Sequence, residues 1–298
     1  MTVRVNPNII PDILAGLETV QQQLNTSDLQ LASGRSINAP SDNPSGTAQL
    51  VLNHAAQNQV DTFQTNISDL QTKLNTADSA LSSAVTIINQ AISLGVEAGN
   101  SNLSDDQRQA IANQLSGIQQ QLVGIANTSS GGSFLFAGTL VENAPFVLNS
   151  ALPAGVQYVG NDETTSVQLA NGQSVNTNVP GDQLFLNPSG SVLGSLNQLI
   201  TAIQTNTGIA GASTSFGVAA SEFNTQRLFY GEALNEMNNT STFLSNEQVQ
   251  LQTQETNIAG ADLAKVTTQF SQAEVAYEAL IEAEGQVLSL PNLLDYIQ

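Results

Sequence analysis

Apolar residues recur at alternating spacings of three and four along residues 60–91. The positions are Val60, Phe63, Ile67, Leu70, Leu74, Ala77, Leu81, Ala84, Ile88 and Ala91. This rhythm puts them on one narrow stripe of an α-helix, and such a stripe needs a partner helix to bury it. A helix from about Thr47 to Ala98 would be roughly 75 Å long at 1.5 Å per residue. That length predicts an elongated helical molecule.

Two shorter stripes with the same spacing lie near the ends of the chain. The N-terminal stripe consists of Ile10, Ile13, Leu17, Val20, Leu24 and Leu31, with Ser27 interleaved. The C-terminal stripe consists of Leu263, Val266, Phe270, Ala273, Tyr277, Leu280 and Val287. Because a narrow stripe requires a partner, we expect the two terminal helices to pair. Glu284 interrupts the C-terminal stripe, and we expect the paired segment to end there, opposite Ile10.

Capping signals mark the starts of the other helices. Asn43 followed by Pro44 is typical of a helix start, because Pro is favoured at the first helical position. Ser104 with Gln107 forms a capping-box pattern, and Ser191 is a candidate cap of a further short helix. These signals predict three helix starts, two before the region 133–190 and one directly after it.

Residues 133–190 have a different character and predict a small β-rich insert. The candidate strands are residues 156–159, 166–170 and 174–179. Asn171-Gly172 is a strong hairpin signal between the last two. After the insert, we expect helix to return at about Ser215 and to run, with interruptions, to Val287.

The predicted fold class is mainly α with an inserted β-rich domain. We expect an elongated helical bundle or coiled-coil rod with paired N- and C-terminal helices. The expected segments are an assembly helix and linker (1–46), a long helical hairpin (47–132), the β-rich insert (133–190), returning rod helices (191–258) and a C-terminal assembly helix (259–298).

Charge and composition exclude several classes of protein. The chain has 25 acidic and 6 scattered basic residues, for a net charge of -19. Nucleic-acid binding needs clustered Lys and Arg, so we exclude it, and an anionic membrane is disfavoured for the same reason. The absence of cysteine excludes disulfides and thiolate sites. The N-terminal residues lack the apolar core of a secretory signal peptide, and no run approaches about 18 consecutive apolar residues.

Few residues could carry catalysis, and we predict no catalytic, cofactor or metal site. His54 is the only histidine, and Asp105 and Asp106 are explained by helix capping. Glutamates four apart occur at Glu232–Glu236 and Glu278–Glu282. Such pairs are routine on exposed helix faces, although a secreted hydrolase that uses Glu232, Glu236 and His54 remains an alternative.

Several separated motifs resemble one family. LQLASGRSINAPSDNPSG (29–46) is similar to the N-terminal motif of the flagellins and the related bacterial flagellar hook-associated proteins. Residues 74–100, residues 105–115 and the C-terminal stripe follow the same family in the same order. The resemblance covers roughly residues 5–140 and 225–298. SGGSFLFAGTLVENAPF (130–146) and the terminal LSLPNLLDYIQ are more similar to the hook-associated proteins than to flagellins.

The resemblance implies a structural role at the junction of hook and filament, with a flagellin that forms the filament itself as the alternative. It implies an extracellular location, and export unfolded through the flagellar type III apparatus without a cleaved signal. The implied partners are further copies in a ring, flagellin, another hook-associated protein and a cytoplasmic export chaperone at the C-terminal helix. Neither nucleic acid nor membrane is implied. The residues of the two terminal stripes are then the expected interfaces for assembly and for the chaperone.

Overall fold

The computed structural model describes residues 9–168, 172 and 174–289. Within them, the helices are α1 (Ile9–Ser33), α2 (Pro44–Ala98), α3 (Asp105–Ala126), α4 (Gly181–Phe185), α5 (Val192–Gln204), α6 (Ile209–Ala259) and α7 (Leu263–Ser289). The strands are β1 (Ser129–Ser130), β2 (Ser133–Phe134), β3 (Phe146–Leu148), β4 (Val156–Tyr158), β5 (Ser166–Gln168) and β6 (Ser174–Asn176). The predicted class, mainly helical with a β-containing insert and paired terminal helices, is confirmed.

The chain forms two compact units. The smaller unit comprises the described parts of Met1–Gln59 and Glu247–Gln298, and the larger unit comprises Val60–Asn246. The smaller unit therefore contains α1, α7, the start of α2 and the end of α6. The larger unit contains the remaining helices and all six strands.

The predicted helix starts are confirmed by hydrogen bonds. The Asn43 side chain accepts a bond from the Gly46 amide at 2.9 Å, and α2 begins at Pro44. Ser104 forms both halves of a capping box at the start of α3, and the Ser191 hydroxyl accepts the Gly194 amide at the start of α5.

The sequence prediction for α6 is wrong at its start. The helix begins at Ile209 rather than near Ser215, whereas the predicted interruption before Val287 lies at residues 260–262, between α6 and α7. Each helical glycine costs about 1 kcal/mol relative to alanine. Burial of Tyr230, Met237 and Leu244 offsets that cost, since a large buried apolar side chain contributes about 1.5–3 kcal/mol. Tertiary packing therefore stabilises α6 despite the glycines within it.

The core of the larger unit includes the buried faces of α2, α3, α5 and α6 and aromatic residues of the insert. On α2, the predicted stripe is buried at Ile67, Leu74, Leu81 and Ile88 among others. α3 packs against α5, and both helices bury one apolar face. The apolar stripe of α2 is therefore buried inside the larger unit, as expected for an ordinary bundle core.

A cluster of aromatic rings anchors the insert. The ring of Phe185 lies 5.7 Å from Phe136, 5.4 Å from Phe146 and 5.3 Å from Phe223 between ring centroids. Phe136 also contacts Tyr230 edge-on, with centroids 6.2 Å apart. These separations are those of favourable aromatic pairs. The cluster thus joins the insert to α6 within the larger unit.

The insert is less regular than its sequence suggests. Its strands form three separate two-stranded antiparallel sheets, and α4 lies within the range predicted to be β-rich. In the predicted hairpin, β5 pairs with β6, with Val167 opposite Val175. Gly172 has the positive φ of 80° that such a turn requires, whereas Asn171 lies outside the described residues.

One helix in the described residues passes a length-and-composition test for a membrane span. An 18-residue window of α2 has a mean hydropathy of 1.3. The apolar residues of α2 include a stripe buried inside the larger unit, as at Leu81, Ala84 and Ile88. A core helix of a soluble protein satisfies the same test, so this feature is weak evidence for a membrane.

Candidate assembly surface

The two terminal helices pack against each other in the smaller unit. Arg35, just after α1, forms an antiparallel bridge with Gly260, just before α7. Near the other end, a Cβ placed on Gly16 would lie 3.6 Å from the Leu280 methyl groups. Each step forward along α1 is therefore matched by a step back along α7, so the pair is antiparallel.

This register changes the expectation for Glu284. Starting from Gly16 opposite Leu280, four steps place Asp12 near Glu284. The helix continues beyond Glu284 to Ser289. In this register Glu284 lies opposite Asp12 rather than Ile10, and the end of the paired segment at Glu284 stays a prediction.

The predicted stripe residues differ in how deeply the pair buries them. Val266 and Ala273 are buried at 4% and 3% exposure. Half-buried positions are Ile13, Leu17, Val20, Leu24, Leu31, Phe270, Tyr277, Leu280 and Val287. Ile10 and Leu263 remain 47% and 52% exposed. Two helices alone thus leave much of the stripe accessible.

Further apolar side chains lie away from the stripes. Val275 is 67% exposed and follows Val266 by nine residues, which places it on the opposite face of α7 at 100° per residue. Leu14, Leu29 and Ile281 are also exposed. The terminal pair therefore presents apolar groups on more than one face. Sequence reasoning missed these residues because it sought a single stripe on each helix.

The terminal pair is strongly acidic. Its helices carry Asp12, Glu18, Asp28, Glu274, Glu278, Glu282 and Glu284, against Lys265 as their single basic residue. The first six of these acidic side chains are exposed. Copies of this surface repel one another electrostatically, and salt screens that repulsion.

The linker after α1 is tied to the break between α6 and α7. Gly34 ends α1 with a φ of 66°, a left-handed conformation that glycine adopts without strain. The Ser36 amide donates to the Ala259 carbonyl at 2.6 Å, and the Ala261 amide donates to the Gly34 carbonyl at 3.0 Å. These hydrogen bonds hold the linker after α1 next to the break between α6 and α7.

A carboxylate lies beside this crossing. Glu255 accepts hydrogen bonds from the Arg35 guanidinium at 2.9 Å and the Gln57 amide at 3.0 Å, and its Oε1 lies 3.1 Å from the His54 Nε2. The Gln57 and His54 hydrogen bonds are the main reasons why the pKa of Glu255 is lowered. Asn53 extends the network, since it accepts from Gln57 at 2.7 Å and donates to the Leu251 carbonyl at 3.1 Å.

The family-like motif in the linker has local structural roles. The Asp42 carboxylate accepts the amides of Asn38 and Ala39 at 2.9 and 2.8 Å, and these bonds lower its pKa. A Cβ on Gly46 would lie 2.6 Å from Cδ1 of Ile37, so a larger residue there would displace the Ile37 side chain. The motif therefore specifies the path of the linker.

Two of the candidate catalytic or metal-binding residues have structural partners. His54 is tied to Glu255, and Asp105 pairs with Arg108 at the start of α3. Glu232 and Glu236 lie in the larger unit, whereas His54 lies in the smaller unit. Among the described residues, no cluster of three or more His, Asp or Glu side chains could hold a metal ion.

Comparison with known proteins agrees with the resemblance in the sequence. Residues 11–140 match the bacterial flagellin N-terminal helical region. The chain is 28% identical over 157 residues to flagellar hook-associated protein 3 of Escherichia coli strain K12, which covers 52% of this chain and 48% of that protein.

The chain is similar to the bacterial flagellins over residues 11–140. It spans about half the length of the curated relatives that it matches.

Two solved structures have a similar fold. A flagellar hook-associated protein from Vibrio parahaemolyticus superimposes with a TM-score of 0.66 at 17% identity, covering 74% of this chain and 100% of that one. The flagellar junction protein FlgL from Legionella pneumophila gives a TM-score of 0.57 at 14% identity, covering 71% and 99%. At these identities, the likeness shows that the chain shares their fold.

Proposed function

We propose that the chain is a structural subunit of the bacterial flagellum that joins the hook to the filament, and that it is not an enzyme. The observation that carries this proposal is the terminal helix pair with its unburied apolar side chains. The name of the Escherichia coli relative, flagellar hook-associated protein 3, supports the junction over the filament as the location.

The proposed mechanism is packing between subunits. An exposed apolar face on a folded protein marks an interaction surface. Half of the large exposed apolar side chains belong to the smaller unit, although that unit contains fewer residues than the larger one. Further copies packed around the pair, for example as a ring, would bury residues such as Ile10, Leu263 and Val275. Each contact would contribute modestly, and the number of neighbours would make assembly cooperative.

The remaining partners follow the same logic. Flagellin on one side and another hook-associated protein on the other would carry matching terminal helices. Before export, a cytoplasmic chaperone would cover the stripe from Leu263 to Val287. The export route, without a cleaved signal and through the type III apparatus, is part of this proposal, as are the assembly roles of the stripe residues.

Deletion of the gene tests the location. For a junction protein, hooks remain on the cell and flagellin accumulates in the medium. Loss of the filament subunits themselves would instead identify the chain as a flagellin. Retained motility would contradict both structural roles.

A further inference from the structure

The terminal pair is joined to the rest of the smaller unit by two chain segments that cross at one place. One segment is the linker that leaves α1 at Gly34, and the other is the break between α6 and α7 at Gly260. The two segments pair through the Arg35–Gly260 bridge. A glycine therefore lies in each segment at the crossing.

Apolar packing at this crossing is slight. The buried cluster there consists of Ile37, Leu50 and Ala259, with Ile258 packed beside it. By contrast, one carboxylate near the end of α6 has partners on the linker and on α2. Glu255 of α6 contacts Arg35 of the linker, and His54 and Gln57 of α2.

The network is accessible to water. The side chains of Arg35 and His54 are 39% and 48% exposed, and that of Glu255 is 24% exposed. Partly exposed ion pairs contribute little individually, and water can replace their partners without leaving a cavity. The crossing can therefore open without unfolding the helices on either side.

We propose that Glu255 is a latch that holds the linker against the end of α6, so that the terminal helix pair has a docked and an undocked state. Arg35 is the linker side of the latch, and Gly34 and Gly260 are the points where the two connections bend. The backbone bonds of Ser36 and Ala261 form in the docked state and break in the undocked one. The inference rests on these contacts and does not depend on the proposed role in the flagellum.

Amide hydrogen exchange in the full-length, dilute protein tests the latch. In Glu255→Gln, the Arg35 ion pair is lost with little change of shape. We expect the Ser36 and Ala261 amides to exchange a few-fold faster, as for the loss of a partly exposed ion pair. Amides of α3 and α5 should keep their rates, because they belong to the other unit.

Two further variants complete the experiment. Glu247→Gln, two helical turns earlier on α6, is the matched control and should leave Ser36 and Ala261 unchanged. Arg35→Lys retains the charge without the guanidinium fork and should give an intermediate increase. Unchanged exchange in Glu255→Gln would overturn the latch, and so would a uniform increase that includes α3 and α5, since Glu255 would then support the fold as a whole.

Discussion

The α2 stripe in the larger unit and the stripes of the terminal pair have the same spacing but differ in how deeply they are buried. Leu74, Leu81 and Ile88 on α2 are almost completely buried, whereas Ile10 and Leu263 are about half exposed. The reason is the number of elements packed around each stripe. Within the larger unit α2 contacts α5 at Leu199 and α6 at Arg227, whereas α1 packs against α7. The same apolar spacing thus forms a buried core in one unit and leaves apolar side chains exposed in the other.

The largest expected effect comes from breaking the α2 core. Leu81→Ala should lower the free energy of unfolding of the larger unit by about 2–5 kcal/mol, because it removes a fully buried side chain and leaves a cavity. Leu17→Ala, at a half-buried position of α1, should lower the free energy of unfolding by well under half that amount. Thermal or urea unfolding followed by circular dichroism measures both. Equal losses would remove the distinction between the two stripes.

A charge on the C-terminal stripe should have the next largest effect, on binding rather than folding. Leu280→Asp should weaken assembly and chaperone binding together, each by tenfold or more, because both would use the same apolar surface. Co-sedimentation with flagellin and a chaperone pull-down measure the two effects. Ala279→Asp, at the exposed neighbouring position, is the control. Normal chaperone affinity in Leu280→Asp would refute the shared surface.

The latch should give a smaller effect that depends on pH. The folded-state pKa of Glu255 is lowered, so its contribution is present above the ordinary carboxyl range and is lost as the pH falls through the lowered pKa. Because the site is partly exposed, the contribution should be about 1 kcal/mol or less. Exchange at Ser36 and Ala261 between about pH 6 and pH 3 should accelerate in the wild type relative to the intrinsic rate. Glu255→Gln should lack that acceleration, and an identical pH profile would contradict the assignment.

The smallest effect concerns salt. The exposed acidic residues of the terminal pair should repel between copies, and added salt should relieve this. We expect self-association to strengthen a few-fold between about 0.05 and 0.5 M NaCl, measured by sedimentation. Glu278→Gln together with Glu282→Gln should reduce the dependence. Weaker association in high salt would indicate that attractive ion pairs hold the copies together.

Sequence periodicity predicted most of the helices and the pairing of the two terminal helices. It could do so because the spacing of apolar residues can be read locally in the sequence. It placed the start of α6 about six residues too late, near Ser215 instead of Ile209. It also missed the latch, because Glu255 lies 220 residues from Arg35 and 201 from His54. No local pattern indicates such a contact. Val275 was missed for another reason: a single exposed valine opposite a stripe forms no pattern of its own.

The central claim is that the terminal pair is completed only by other subunits, and amide exchange tests it most directly. In the dilute full-length chain, residues 10–31 and 263–287 should exchange rapidly, because a short two-helix seam is marginal alone, while α3 and α5 stay protected. In the assembled state, the same two segments should become protected. Strong protection of both segments in the dilute monomer, equal to that of α3 and α5, would contradict the account.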